Sequence, residues 1–258
     1  MSTAIHPAAF VDEGARLGSG VTVGPGALIG PHVRIGEGTS IGSHALITGW
    51  TKLGRGCRIH HGAVLGSPPQ DLKYSGETSY LEVGDGTQVR EFVTANLATE
   101  PGATTRVGND CLLMAYSHVA HNCQLGDHVI LANAVQMAGY VTIEDWAIVG
   151  GGTVIHQFVR IGRHAMIGGG SRIPQDVAPY VKLAGNPPRL AGVNGVGLER
   201  RGFTSETCAA LDRAYRILFR QRLTVTDAVA RIREELPGVA EVEILARFAE
   251  TSARGLTR

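Results

Sequence analysis

The residues best suited to chemistry in this sequence lie in a short cluster, SHVAHNC, that contains His118 and His121. Histidine has an unperturbed pKa of about 6.5, so its imidazole can take a proton from a hydroxyl or an amine at neutral pH. A nucleophile activated in this way can attack a thioester if a nearby N–H group stabilises the tetrahedral oxyanion. The cluster is therefore consistent with acyl transfer, with His121 as the general base.

Two other interpretations of the cluster stay open. A histidine on an outer face is commonly a solvated or interface residue. A metal site built on His118 and His121, as in β-helical carbonic anhydrases, would need a third ligand, and the sequence offers no convincing one.

The elements that must position these side chains follow from a repeat of six residues. Neither the 3.6-residue period of a helix nor the two-residue period of a strand produces it. Three short strands joined by sharp corners would close a triangular coil of about 18 residues, with the repeated apolar side chain inside. We therefore predict an all-β left-handed parallel β-helix from residue 5 to about 183, followed by an α-helical tail. The repeated positions are Ile5, Val11, Leu17, Val23, Ile29, Ile35, Ile41, Ile47, Leu53, Ile59 and Leu65, then Val83 and Val89, then Val107, Leu113, Val119, Leu125, Leu131, Met137, Ile143, Val149, Ile155, Ile161, Ile167 and Ile173.

Counting by whole coils brings distant residues together. His121 and Gly139 are one coil apart, so they should be stacked neighbours about 4.8 Å apart. The backbone N–H of Gly139, unencumbered by a side chain, would then lie beside an outward imidazole as a candidate oxyanion donor. The same count stacks Tyr140 on Asn122 and places His156 on the coil that follows.

The six-residue pattern is interrupted twice, at 68–80 (PPQDLKYSGETSY) and around 101–105. Because the phase is kept across both interruptions, we predict loops that leave an otherwise continuous prism. Loops carried by a rigid scaffold are a favoured location for binding residues.

Two domains are predicted. Residues 1–190 form the β-helix acyltransferase domain with its extruded 68–80 loop, and 191–258 form a C-terminal helical domain. Helices are expected from an N-cap at Thr204 to about Gln221, after Thr226, and from about Val239 to Ser252.

Composition limits the partners and the compartment. The net charge of +1 argues against nucleic acid as a partner. The sequence shows no signal-peptide pattern and no run of about 18 apolar residues, which predicts a cytoplasmic protein without stable membrane insertion. Cys57, Cys111 and Cys123 take small inward positions and no CxxC pair occurs, so we expect reduced core cysteines that are not nucleophiles.

Two surface features predict partners. A three-walled prism exposes its sheets, and threefold association would cover one wall of each subunit, which predicts a homotrimer. A basic cluster near the C-terminus is either a solvated helix face or a binding surface for an acidic carrier protein or a nucleotide phosphate. It comprises Arg189, Arg200, Arg201, Arg213, Arg216, Arg220 and Arg222.

Seven segments are more specific than the repeat: GPHVRIGEGT (30–39), QDLKY (70–74), LLMAYSHVAHNC (112–123), IVGGGTVIHQF (148–158), QDVAPY (175–180), GVNGVGLERRGF (192–203) and ARGL (253–256). Together they resemble the bacterial UDP-N-acetylglucosamine O-acyltransferases, the first enzymes of lipid A synthesis, over nearly the whole chain. The resemblance implies a homotrimer with active sites between subunits. It also implies transfer of an (R)-3-hydroxyacyl group from acyl carrier protein to the sugar 3-hydroxyl of UDP-N-acetylglucosamine, without a metal or an organic cofactor.

Residue by residue, the resemblance implies His121 as general base, the Gly139 N–H as oxyanion donor and Gly169 as the ruler of acyl-chain length. The residues implied to contact the sugar, the nucleotide or the carrier's pantetheine arm are Gln70, Asp71, Lys73, His118, Asn122, Tyr140, His156, Gln157, Asn194, Arg200 and Arg201.

Three departures from the family pattern lie near the acceptor sugar. Asn122 replaces the Asp that usually follows the catalytic His, and an amide holds an imidazole N–H without stabilising an imidazolium as a charge would. Tyr140 stands where many members have His, and ANLAT (95–99) replaces IHRGT.

These departures keep alternatives open. An amine is a better nucleophile than a hydroxyl, so transfer to the 3-amine of a UDP-3-amino-3-deoxy sugar would tolerate a weakened base. A later lipid A N-acyltransferase is a second alternative, although that enzyme carries an N-terminal uridine-binding domain and the hexads here begin at residue 5. A non-catalytic β-helix is a third, and it would need neither the QDLKY loop nor the histidine cluster.

Overall fold

In the computed structural model, which describes residues 2–258, the six-residue repeat forms short parallel strands, most of them two residues long. In each strand the first side chain faces outward and the second faces inward, as in Leu28–Ile29, where Leu28 is exposed and Ile29 is buried. The chain turns after each strand, so successive strands lie on three different sheets of a triangular prism. The predicted parallel β-helix is confirmed.

We call the three sheets the first, second and third walls, in the order in which the chain visits them. The first wall consists of Ala4–Ile5, Thr22–Val23, Ser40–Ile41, Arg58–Ile59, Gln88–Val89, Leu112–Leu113, Ile130–Leu131, Ile148–Val149, Met166–Ile167, Val181–Gly185 and Pro188–Val193. The second wall consists of Phe10–Val11, Leu28–Ile29, Leu46–Ile47, Val64–Ser67, Thr94–Asn96, His118–Val119, Gln136–Met137, Val154–Ile155 and Arg172–Ile173. The third wall consists of Arg16–Leu17, Arg34–Ile35, Trp50–Leu53, Tyr80–Val83, Thr104–Val107, Gln124–Leu125, Thr142–Ile143 and Arg160–Ile161. The first corner joins the first wall to the second, the second corner joins the second to the third, and the third corner returns to the first.

Within a wall, paired residues are normally one coil apart, as Ile29 and Ile47 are on the second wall. The offset on this wall rises to 30 residues between Leu65 and Ala95 and is 24 residues between Ala95 and Val119. The extra residues leave the prism as two loops, and both loops leave at the second corner.

The longer loop spans residues 68–79 and the shorter one 97–103, between the strands that flank them. The shorter loop begins four residues before the predicted interruption at 101–105 and ends two residues before the end of that interruption. Thr104 and Thr105 are already paired with Tyr80 and Leu81, so they belong to the third wall.

The interior of the prism is a narrow column of aliphatic side chains, of which Ile29 and Ile47 are fully buried. Burying one such side chain contributes about 1.5–3 kcal/mol. Cys57, Cys111 and Cys123 are buried in the same column and none forms a disulfide. Burial raises the pKa of the Cys111 thiol to about 11 and that of Cys123 to about 12, so both are protonated at neutral pH and poorly nucleophilic.

The corners demand a left-handed backbone. At the second corner Asn122, Tyr140 and Phe158 have φ angles of 61°, 60° and 66°. This conformation costs a residue with a side chain about 1–2 kcal/mol. Stacking offsets part of the cost, since the rings of Tyr140 and Phe158 lie 4.9 Å apart.

The prism ends in an antiparallel pair, Val181–Gly185 with Pro188–Val193. The predicted domain boundary at residue 190 falls inside the second of these strands. Four helices follow: α1 (Gly195–Glu199), α2 (Ser205–Arg220), α3 (Val225–Glu235) and α4 (Ala240–Glu250).

Helix α2 begins and ends as predicted, and the Thr204 hydroxyl accepts a hydrogen bond from the Thr207 N–H as its N-cap. Helix α3 begins earlier than predicted because Thr224, not Thr226, is its N-cap and accepts from the Asp227 N–H. The short helix α1 was not predicted. Within residues 2–258 no helix is long and apolar enough to cross a membrane.

Candidate active site

Three stacked turns of the second corner carry the residues best suited to catalysis. His121 and Asn122 form one turn, Gly139 and Tyr140 the next, and Gln157 with Phe158 the third. The Tyr140 N–H donates to the His121 carbonyl at 3.1 Å, and the Phe158 N–H donates to the Gly139 carbonyl at 3.2 Å. The coil count therefore places these residues together as the sequence predicts.

The ring of His121 lies directly over the backbone of Gly139. A Cβ on residue 139 would lie 2.5 Å from His121 Nε2, so any side chain there would require the ring to move. Within residues 2–258 the Gly139 N–H has no hydrogen-bond acceptor. An imidazole nitrogen and an unused backbone donor thus lie side by side.

His121 lies outside the prism, as predicted, but it is not solvated. Only 8% of its surface is exposed. The Tyr140 ring meets it edge-on with centroids 5.4 Å apart, and the loop residue Thr99 binds the adjacent Asn122. This environment differs from the solvated surface histidine that the sequence left open.

Asn122 connects His121 to the shorter loop. Its Oδ1 lies 2.9 Å from His121 Nδ1 and accepts from the Thr99 N–H and hydroxyl at 3.1 and 2.8 Å. Its Nδ2 donates to Glu100 Oε2 at 2.6 Å, and the Tyr140 hydroxyl donates to Glu100 Oε1. The hydrogen bond from the Tyr140 hydroxyl makes the largest contribution to lowering the pKa of Glu100, so this carboxylate is ionised at neutral pH.

The two loops and the second corner enclose a cleft of about 480 Å³. The predicted binding residues Asp71, Lys73, Tyr140 and Gln157 line it together with Glu100. Asp71 accepts a hydrogen bond from the Lys73 N–H at 2.9 Å, which shapes the loop. The cleft therefore offers a cation, carboxylates and a phenol to a polar ligand.

The other predicted loop residue, Gln70, is exposed and makes no hydrogen bond within residues 2–258. Leu72, beside it in the QDLKY motif, is completely exposed.

His118 and His156 lie on the second wall at its second-corner side. His118 Nδ1 is 2.7 Å from the Thr94 hydroxyl, and burial, with a smaller contribution from His121, lowers its pKa. His156 is exposed, and its Nδ1 lies 3.2 Å from the Arg254 guanidinium of the ARGL motif. Both histidines are thus held in place by residues outside the second corner.

Asn194 and Arg201 are at the third corner, across the third wall from His121. The Arg201 guanidinium lies 5.0 Å from the Trp146 ring, and its Nη1 is buried without a hydrogen-bond partner in residues 2–258. Asn194 is buried, and its side chain donates to the His164 carbonyl at 3.0 Å. A partly buried cation without a counterion is suited to an anionic ligand.

Two further predicted residues lie apart from His121. Arg200 is exposed in the turn after α1. Gly169 is exposed at the first corner, between strands of the first and second walls. The predicted site residues are therefore distributed over all three corners of one chain.

Much of the basic cluster in α2 is neutralised by neighbours. Arg213 pairs with Glu235 and Arg216 with Asp212, while Arg220 donates to the Tyr215 hydroxyl. Five members of the cluster have no acidic partner within residues 2–258: Arg189, Arg200, Arg201, Arg220 and Arg222.

The sequence reasoning missed Thr99 and Glu100. Thr99 is the last residue of the segment 95–99 that departs from the family pattern, and Glu100 directly follows it. No periodicity places a loop residue on a given wall. The only available signal was their position, since they follow a second-wall strand one coil before Asn122.

The six-residue repeat and the parallel prism place the chain in the class of hexapeptide-repeat transferases. Residues 32–67 and 104–139 match the family model described as "Bacterial transferase hexapeptide (six repeats)". Residues 176–257 match the model described as "Udp N-acetylglucosamine O-acyltransferase; Domain 2".

Several known proteins are similar to this chain over nearly its whole length. Acyl-[acyl-carrier-protein]–UDP-N-acetylglucosamine O-acyltransferase from Herminiimonas arsenicoxydans is 46% identical, over 98% of this chain and 99% of its own. The protein of that name from Thiobacillus denitrificans is 47% identical with the same coverage. The structure of LpxA from Acinetobacter baumannii has a TM-score of 0.96 and 42% identity, covering 98% of this chain and 99% of its own.

The chain belongs to the family of UDP-N-acetylglucosamine O-acyltransferases. Its prism is a left-handed parallel β-helix followed by a small helical region, as the sequence predicts. The family membership also makes it an acyltransferase, which excludes the non-catalytic alternative.

Proposed function

We propose that this protein transfers an (R)-3-hydroxyacyl group from acyl carrier protein to the 3-hydroxyl of UDP-N-acetylglucosamine, the first step of lipid A biosynthesis. The observation that carries the proposal is the ring of His121 over the free N–H of Gly139, in a chain whose relatives are named for this reaction. Because those relatives are O-acyltransferases over the same full length, transfer to a 3-amine and the later N-acyltransferase are not favoured.

The chemistry follows from the two groups. His121 Nε2 takes the proton of the sugar hydroxyl as its oxygen attacks the thioester carbon. The Gly139 N–H donates to the tetrahedral oxyanion. When the carbon–sulfur bond breaks, the imidazolium returns its proton to the leaving thiolate, and the ester remains on the sugar. No cofactor is needed, because the thioester itself carries the activated acyl group.

Binding of the acceptor is assigned to the cleft beside these groups. Asp71, Lys73 and Gln157 line it, with Gln70 in the same loop. His118 and His156 flank the corner on the second-wall side. Arg201, with its unpartnered guanidinium, is assigned to a phosphate or to the carrier's arm, together with Arg200 and Asn194.

A site that uses both His121 and Arg201 needs more than one copy of the chain, because they occupy different corners. We propose a homotrimer in which the second corner of one subunit faces the first wall of the next. The outward residues of that wall support this contact: four consecutive strands present half-buried apolar side chains, those of Leu112, Ile130, Ile148 and Met166. We place the reaction in the cytoplasm, where the buried free thiols would stay reduced.

One assay tests the activity. The purified protein is given (R)-3-hydroxyacyl carrier protein with UDP-N-acetylglucosamine, and in parallel with its 3-amino analogue. We expect an alkali-labile ester with the first acceptor and much slower amide formation with the second. Absence of the ester, or substantial product from His121→Ala, would contradict the proposal.

A further inference from the structure

We propose that Glu100 is a positioning residue of this active site: through the amide of Asn122 its carboxylate fixes the tautomer of His121 and stabilises the imidazolium. The inference rests on the proposed function for the role of His121. It goes further because Glu100 lies on a loop, outside the hexapeptide pattern, and touches neither the base nor its glycine.

The orientation of the Asn122 amide is unambiguous, although an amide oxygen and nitrogen look alike in most structures. On one side it faces the Thr99 backbone N–H, which can only donate. On the other it faces the ionised Glu100 carboxylate, which can only accept. Turning the amide over would place donor against donor and acceptor against acceptor.

This orientation fixes the proton on His121. Because Asn122 presents its oxygen 2.9 Å from His121 Nδ1, the imidazole must donate from Nδ1. The neutral ring therefore carries its lone pair on Nε2, the nitrogen that lies over Gly139. That nitrogen is the one required as base.

Glu100 also supplies the charge that Asn122 lacks. The carboxylate is one hydrogen bond beyond the amide, and the Tyr140 hydroxyl binds its second oxygen. Hydrogen bonds from Tyr140, Thr99 and Asn122 lower the pKa of Glu100 and keep it ionised. A negative charge is therefore connected to the imidazole through Asn122 when the ring becomes protonated.

The substitution Glu100→Gln tests both effects. We expect kcat to fall about 10- to 100-fold, with a much smaller change in the KM for UDP-N-acetylglucosamine. The acid limb of the pH profile of kcat/KM should move to lower pH, because the imidazolium loses its stabilising charge. A purely structural role would lower activity without moving that limb. Glu82→Gln is the matched control, since this carboxylate binds Arg106 on the third wall, away from the corner.

A double substitution makes the test specific. Asn122→Asp alone would place two carboxylates where a 2.6 Å hydrogen bond now lies, so we expect it to lower activity. The double variant Glu100→Gln/Asn122→Asp removes this repulsion and places a carboxylate directly beside the imidazole. We expect this pair to recover activity to within about threefold of the wild type. A double variant whose losses simply add would overturn the proposal, as would an active Glu100→Gln with an unmoved acid limb.

A spectroscopic readout separates this proposal from the function on which it rests. In 15N-histidine NMR spectra, with His121 assigned by its loss in His121→Gln, the wild type should show protonated Nδ1 and unprotonated Nε2 above neutral pH. Glu100→Gln should show a mixture of both tautomers. An unchanged tautomer would overturn the role of Glu100, whereas a wild type that makes no ester would overturn only the proposed function.

Discussion

The contact between the His121 ring and the Gly139 backbone is the tightest constraint on any single residue of the site. Two other close neighbours, Asn122 and Tyr140, hold the ring from the other sides. The imidazole therefore has one orientation, and a small displacement would take its nitrogen away from the backbone donor.

We predict that Gly139→Ala inactivates the enzyme although it adds one methyl group. The new Cβ would lie 2.5 Å from His121 Nε2, so the ring must move. A misplacement of about 1 Å lowers rates about 100-fold, and we expect a loss of at least this size in the acyl-transfer assay.

Gly30→Ala is the control for that substitution, because Gly30 also follows a second-wall strand and its Cβ would have no neighbour closer than 3.4 Å. It should retain wild-type activity. If Gly139→Ala were equally active, His121 Nε2 could not be the base in the geometry described.

His164 shows what the sequence could not predict about a single residue. Its six-residue position suggests an outward histidine, yet it is 9% exposed. Tyr180 stacks on it and Phe203 meets it edge-on, with centroids 5.7 and 5.0 Å away. Phe203 comes from beyond the prism, so its contact depends on how the chain returns after α1, which no local pattern encodes.

We predict an acid-dependent loss of stability from this histidine. Burial, with Arg201 and Arg163 nearby, lowers the pKa of His164 to about 4 in the folded protein. In the unfolded chain it protonates near its ordinary value of about 6.5, so the unfolded state binds more protons between these values. Stability should therefore fall as the pH drops from about 6.5 to about 4, by on the order of 3 kcal/mol at most.

His164→Phe should flatten that dependence in thermal melts, since Phe158 shows that the left-handed corner accepts this residue. Tyr180→Phe perturbs the same stack but keeps the imidazole, so it should retain the dependence. Equal pH slopes for the wild type and His164→Phe would contradict the assignment.

At the scale of elements, the walls and the presence of two loops were predictable, but the contacts made by the loop residues were not. Every strand of the prism needs one apolar side chain that faces inward. Because this requirement recurs at each strand, the sequence repeats with it. Loop 97–103 has no such requirement, yet Thr99 and Glu100 determine how Asn122 is held. The segment ANLAT, which departs from the family pattern, includes Thr99, and Thr99 holds Asn122 at the second corner.

We predict that Gly169, at the first corner, leaves the acyl groove open and so favours longer hydroxyacyl chains. The residue is exposed and its backbone is not left-handed, so a side chain is conformationally allowed. Gly169→Met should fill space and shift preference toward shorter hydroxyacyl donors, measured by competition among carriers of different chain length. Gly169→Ala should give a smaller shift, since its Cβ reaches only the Gly151 carbonyl at 3.0 Å. An unchanged length profile in both variants would refute the role as ruler.

At the scale of the whole molecule, the distribution of the predicted site residues over three corners is the strongest argument for the proposed assembly. His121 is at the second corner and Arg201 at the third, with the third wall between them. The outward residues of that wall include Arg34, Glu82 and Arg106, which suit solvent. The apolar half of the first wall suits a neighbouring subunit.

We predict that two inactive variants restore each other. When His121→Ala and Arg201→Ala are unfolded together and refolded as mixed trimers, about a quarter of the shared sites should contain one intact copy of each residue. Transfer activity of the mixture should recover in proportion, while each variant refolded alone stays inactive. Failure to recover, in trimers shown to be mixed by mass spectrometry, would mean that each site belongs to one chain.

The pairing offsets show that the position of each turn on the prism depends on the number of residues that precede it, counted in sixes. Leu65 and Ala95 are 30 residues apart and Ala95 and Val119 are 24, so each excursion adds a whole number of hexads to one coil. Six residues inserted into the coil between His121 and Gly139 would move every later turn to the next corner and separate this pair. If the same six residues leave the prism as a loop at the second corner, that pair stays aligned and the loop extends the rim of the cleft. The enzyme can therefore change the groups that surround its acceptor without disturbing the alignment of the groups that react.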